Sequence, residues 1–175
     1  MDTVIDKTEA AGLGDTARTL AKSFAERAAA HDSGDEFVAE NYERLKKADL
    51  ISAGVPTELG GGGADIRALC EALRIIGGAC GSTGLALSMH THQVAIPAWR
   101  WHHQETARPV VEPLLRRVAA ENLVLLSSGG SDWIGGSGKA ERIEGGYRIT
   151  ARKLFSSGAP AGDLLMTGAL ADEDG

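Results

Sequence analysis

Residues 122–150 read NLVLLSSGGSDWIGGSGKAERIEGGYRIT, and within them the period of the chain changes. Before Asn122, apolar residues mostly recur at steps of three and four. After it, LVLLSS is a short apolar run and KAERIEGGYRIT alternates on either side of Gly145-Gly146. Steps of three and four build one stripe of a helix, whereas alternation builds one face of a strand. A glycine-paired turn between alternating segments signals a hairpin. The chain therefore reads as α+β, with helices over 1–122 and strands over 123–175.

Toward the N-terminus, DTARTLAKSFAERAAAHDSG carries a stripe through Ala17, Leu20, Ala21, Phe24, Ala25 and Ala28. Asp15 or Thr16 is expected to cap this helix, and Gly34 to lie past its end. FVAENYERLKKADL continues the pattern through Phe37, Tyr42, Leu45 and Leu50, with Asn41 on the same stripe. Pro56 and the run Gly60 to Gly63 rule out a helix in the next segment, and Asp65 reads as the N-cap of DIRALCEALRIIGGACG. STGLALSMHTHQVAIPAW has almost no charge, which predicts a helix buried on most sides. Pro109 and Pro113 bracket the start of a last helix, and DLLMTGAL (163–170) is a further apolar run.

The 175 residues are 43% hydrophobic and 24% charged, the makeup of a globular protein. A formal charge of −6 argues against nucleic acid or an anionic membrane as partner. No apolar run is long enough to span a bilayer and the first residues lack a secretory pattern, so a cytoplasmic protein is expected. Cys70 and Cys80 would stand about 15 Å apart on one helix, too far for a disulfide, and are expected to be reduced and core-facing. Three or four strands with one exposed face rarely form a stable sheet unaided, and ADEDG, closed by Gly175, resembles the tip of another turn. The chain therefore reads as a truncated piece.

The bend SSGGSDWIGGSGK (127–139) holds five glycines and four serines. It is no Walker loop: Trp133 stands where the first glycine belongs, and Lys139 is followed by Ala140. Nor does it match a dinucleotide fingerprint, since strands are expected on both sides. Two readings stand, an ordinary turn or a loop that sets N–H groups and hydroxyls beside a ligand. No metal site is expected, because His90 and His92 fall on different helix faces and lack acidic or cysteine partners. GVPTELGGGG is assigned no chemistry, its glycines suiting tight backbone packing.

Residues 37–92 resemble the N-terminal helical domain of the acyl-CoA dehydrogenase family. There a helix ends in an "adG" turn, a "vP.eyGG.G" loop follows, and a later helix reads "a...gst.lal..h". SDWIGGSGKAERIEGGYRITARKLFSSGAPAGDLL resembles that family's middle domain through its "GSD", "KA", "dG.y.ltG.K" and "fit.a..AD" motifs. The likeness runs from about Asp15 onward. It implies that 123–175 begins an antiparallel, β-barrel-like, flavin-facing domain, and that the family's C-terminal helical bundle is absent.

The resemblance further implies an FAD pocket. Ser127 takes the place of a threonine that hydrogen-bonds the flavin ring, Leu126 offers a backbone contact, and Ser131 lies near cofactor and substrate. Phe155 replaces the aromatic packed beside the flavin, and Ser157 a second threonine. A donor facing the ring stabilises negative charge as electrons arrive. The chain departs from the family in its shorter Ser-Ser-Gly ahead of Gly-Ser-Asp, and in Ser156-Ser157 where Ile-Thr is common. The activity implied is α,β-dehydrogenation of an acyl-CoA or related thioester, with an electron-transfer acceptor and a homo-oligomeric full-length protein. The catalytic base is expected in the absent C-terminal domain, because Glu112 and Glu121 have no positional support. Two alternatives stand beside this. One is a flavin-dependent monooxygenase of the same fold, with FMN as cofactor and His92 as catalytic candidate, though His92 also reads as a plain core histidine. The other is a non-catalytic binding module left by truncation.

Overall fold

The computed structural model describes residues 12–134 and 136–172; the side chains of Ser131 and Trp133 lie outside that description, as does the turn expected at Gly175. Helix α1 (Leu13–Gly34) buries Ala17, Ala21 and Phe24. It begins ahead of the expected caps: Gly12 is the N-cap, and Asp15 sits in the first turn, 2.7 Å from Arg18 Nη1. A carboxylate there meets the positive end of the helix dipole. Helix α2 (Ala39–Lys47) buries Asn41, Tyr42 and Leu45. Asn41 is satisfied inside the core, donating to Thr83 Oγ1 at 2.8 Å and accepting from Arg27 at 2.6 Å.

Residues 54–64 pass through a single 3₁₀ turn (Thr57–Leu59) and fold back tightly. A Cβ on Gly61 would lie 2.4 Å from the Val55 carbonyl oxygen, so the glycine run is a packing requirement. Helix α3 (Ile66–Ala79) starts as expected, with Asp65 Oδ1 accepting from Ala68 N at 2.8 Å. Helix α4 (Gly81–His103) follows directly and buries nine residues. The two helices touch backbone to backbone: a Cβ on Gly84 would stand 2.5 Å from Gly77 Cα. Cys80 marks the break between them rather than a point on one helix, and only Cys80 is buried. Cys70, expected in the core, is exposed, because the α3 face against α1 and α4 runs through Leu69, Ala72 and Ile76 instead. Helix α5 (Arg108–Glu121) carries Pro109 in its first turn and ends at Asn122 in the left-handed region, φ 53°.

Residues 123–126 alternate between two hydrophobic clusters. Val124 and Leu126 enter the cluster of Phe24, Tyr42, Leu45, Ile76 and Leu87, while Leu123 and Leu125 enter that of Val55, Val94, Leu115 and Val118. A period of two thus drives one extended segment between two helical layers. Its strand, β1 (Leu125–Ser127), pairs in parallel with β4 (Leu164–Met166). Between them come a short helix α6 (Gly130–Ile134) and the hairpin of β2 (Lys139–Ile143) with β3 (Gly146–Thr150). Strand β5 (Leu170–Asp172) lies parallel to β2. The antiparallel expectation holds for the hairpin alone, because β1–β4 and β2–β5 are joined by long crossovers, which permit parallel pairing. The hairpin turn is Glu144-Gly145, with Gly145 at φ 79°, and Gly146 already pairs with Ile143. No described helix is long and apolar enough to cross a membrane.

Candidate functional site

Two segments come together at the C-terminal end of β1. In the first, β1 runs into the bend 128–130 and then α6, so a helix interrupts what the sequence suggested was a loop between strands. In the second, residues 153–158 leave β3 and return toward β4. Gly129 N donates to Leu154 O at 3.2 Å, and a Cβ on Gly129 would lie 2.9 Å from that oxygen. Ser128 is held from the other side, its N donating to Met166 O at 3.2 Å and its Oγ 2.9 Å from Thr167 Oγ1. Gly158 rests on Leu126, so the segments meet at both ends.

Leu126, Ser127, Phe155 and Ser157 therefore lie on adjacent strips of backbone. Ser127 is buried, its hydroxyl donating to Ser128 O at 3.1 Å, and Ser157 is half-buried in the turn before Gly158. Ser131 lies on α6 in the same bend, its side chain outside the described residues. Phe155 stands out: its φ is 58° and the residue is 83% exposed. Beside it, Ser156 Oγ is buried and has no hydrogen-bond partner among the described residues.

Below this junction is a cavity of about 140 Å³ lined by Gln93, Leu114, Leu125, Leu126, Leu164 and Met166, among others. Ser127, Phe155 and Ser157 do not line it. His92 reaches it through one contact: Gln93 Nε2 donates to His92 Nε2 at 2.8 Å, which leaves His92 Nδ1 to donate to Ser88 O at 3.3 Å. A larger cavity of about 430 Å³ lies elsewhere, between the 54–66 segment and the last turns of α4, with Trp99, His102 and His103 in its wall.

From the sequence, His90 is weighed only as a metal ligand; the structure gives it a packing role. It is 2% exposed; Leu125 N donates to its Nδ1 at 2.9 Å, and its Nε2 donates to Ile51 O at 2.8 Å. Burial pushes its pKa down to about 4, so the ring is a neutral strut that sets where β1 begins. Asp163 does a similar task, accepting from Val124 N at 2.7 Å. An uncharged stretch around a histidine was the available signal, but its partners lie far along the chain.

The sequence pattern of the family described as "Acyl-CoA dehydrogenase, N-terminal domain" matches residues 7–117. The chain belongs to the acyl-CoA dehydrogenase family. Among its relatives, L-prolyl-[peptidyl-carrier protein] dehydrogenase of Pseudomonas fluorescens is 27% identical over 95% of this chain and 44% of that protein. Dibenzothiophene monooxygenase of Mycolicibacterium goodii is 31% identical over 87% of this chain and 36% of that protein. A crystal structure of KijD3 in complex with FMN and dTDP-3-amino-2,3,6-trideoxy-4-keto-3-methyl-D-glucose superposes with a TM-score of 0.79 at 30% identity, covering 93% of this chain and 41% of that one. The chain spans less than half the length of these relatives, which include both dehydrogenase and monooxygenase members of one flavoenzyme fold.

Proposed function

We propose that the chain is the N-terminal part of a flavin-dependent oxidoreductase, holding the ring of FAD or FMN against the exposed face of Phe155 beside the 126–131 bend and oxidising an acyl thioester by α,β-dehydrogenation. The observation that carries this reading is Phe155. A bulky side chain at φ 58° costs about 1–3 kcal/mol, and a residue 83% exposed returns little burial. Strain of that kind clusters at active sites and ligand clamps, and a flat tricyclic ring matches a phenyl face. The unpartnered Ser156 Oγ beside it can meet a polar rim.

When bound, the flavin would supply the electron-accepting chemistry. The chain's own residues would orient it: Leu126 and Ser127 from β1, Ser131 from α6 and Ser157 from the facing turn. Leu114, Leu125, Leu164 and Met166 would keep water from the substrate side. Neither Glu112 nor Glu121 is poised as the base. Hydrogen bonds from Trp101 and Arg116 hold the Glu112 carboxyl below the usual range, and one from Arg117 does the same for Glu121. The base, the electron acceptor and the homo-oligomer contacts are assigned to the rest of the longer protein.

His92 favours a second reading, an FMN-dependent monooxygenase. Its imidazole is tied to the Gln93 amide at the apolar cavity, a position from which a proton could be relayed toward an oxidised substrate.

Flavin fluorescence titration of the 175-residue chain tests the shared claim. We expect weak binding, loss of about tenfold in affinity in Phe155→Gly, and no loss of stability, since glycine accepts a positive φ freely. An absence of flavin quenching, or equal affinity in the variant, sinks the reading. The chain alone should not turn over acyl-CoA with a dye acceptor. In the complete protein, acyl-CoA-dependent dye bleaching supports the dehydrogenase, and oxygen uptake requiring reduced flavin supports the monooxygenase.

A further inference from the structure

Lys153 is a part-buried cation that the site described so far does not use. Its side chain is 12% exposed and that of Asp132 only 5%, with Nζ 3.9 Å from Asp132 Oδ2. The amine donates to Ser137 O at 2.8 Å, to Ser137 Oγ at 2.9 Å and to Gly168 O. Ser137 Oγ in turn donates to Asp132 Oδ1 at 2.7 Å. Three ammonium protons thus meet three acceptors, with a carboxylate as counter-charge.

The neighbouring residue completes the arrangement, since Leu154 O accepts from Gly129 N. Residues 153 and 154 therefore hold Ser137 on one side of the 129–137 stretch and Gly129 on the other. The return is tight: Gly138 has φ 82°, and a Cβ there would stand 2.2 Å from Ala151 Cβ. A lysine and an aspartate withdrawn from water need closely placed partners, and each partner here is a fixed point of the chain. These contacts fix Asp132, Ser137 and Gly168 relative to one another.

We propose that Lys153 is a positioning residue that clamps the 129–137 bend in the shape that receives the flavin. This rests on the flavin reading of that bend. Without the clamp, the bend must be ordered during binding, so affinity falls by the fraction of molecules already in the right shape.

The test combines flavin titration, hydrogen exchange and urea unfolding on Lys153→Met, Lys153→Arg and the milder Ser137→Ala. In Lys153→Met we expect faster exchange confined to residues 129–138, unchanged protection in α1 to α5, and roughly tenfold weaker flavin binding. Lys153→Arg should recover part of both, as it keeps the charge but not the three converging contacts. Ser137→Ala should move in the same direction by a smaller factor, and it decides the matter if the methionine variant does not fold. Unchanged exchange in the bend, or flavin affinity equal to the parent's, overturns the clamp. If the parent takes up no flavin, the flavin reading falls, and the exchange measurement still decides whether Lys153 orders the bend.

Discussion

His90 should make the fold sensitive to mild acid, and the size of the effect can be worked out. The ring is neutral in the folded state, where burial pushes its pKa to about 4, against 6.5 when unfolded. Above pH 6.5 neither state is protonated, and the contribution is fully present. As the pH falls, the unfolded chain takes up a proton that the folded chain refuses, so stability drops until the folded pKa is passed. At about 1.4 kcal/mol for each unit between the two values, the loss approaches about 3 kcal/mol by pH 4. That is a large fraction of the roughly 5–15 kcal/mol that holds a domain together. The assay is urea unfolding followed by far-ultraviolet circular dichroism, at pH 7.5, 6.5, 5.5 and 4.5, on the parent and on His90→Gln. At pH 7.5 the glutamine should cost about 1–3 kcal/mol, because Leu125 N or Ile51 O loses its partner. Between pH 6.5 and 4.5 its stability should be nearly flat, while the parent's declines. Glu58, Glu71, Glu112 and Glu121 also have lowered pKa values, but their influence begins only at the acid edge of this window, at about pH 5, and is common to both proteins. A flat parent profile, or the same slope in both proteins, would refute the buried neutral histidine.

Gly84→Ala should destabilise the chain by about 1–3 kcal/mol in urea, since its Cβ would meet Gly77 Cα at 2.5 Å. Gly78→Ala, with open space around it, should instead be neutral or add up to about 1 kcal/mol through helix propensity. Cys70 should react at once with a thiol reagent in the native protein, whereas Cys80 should react only on unfolding; equal rates would contradict their exposure.

Much of the architecture is local and therefore legible along the chain. The stripes of α1 and α2, the Asp65 cap, the break imposed by Pro56 and the glycines, and the hairpin all follow from periodicity and backbone allowance within a few residues. The candidate site rests on resemblance to a family alone, because serines and a phenylalanine in a glycine-rich stretch have an equally good reading as turn and core residues. Phe155 illustrates the limit, since nothing in LFSSG foretells a positive φ or an exposed ring.

What tertiary structure alone decided are the pairings between distant residues. Leu125 lies opposite Leu164 in a parallel ladder, His90 meets Leu125 and Ile51, and Lys153 reaches Ser137 and Gly168. The physical reason is that helix and turn preferences act over a few bonds. A buried hydrogen bond or ion pair is instead chosen by whichever groups the packed core leaves without water, and their positions along the chain do not encode that.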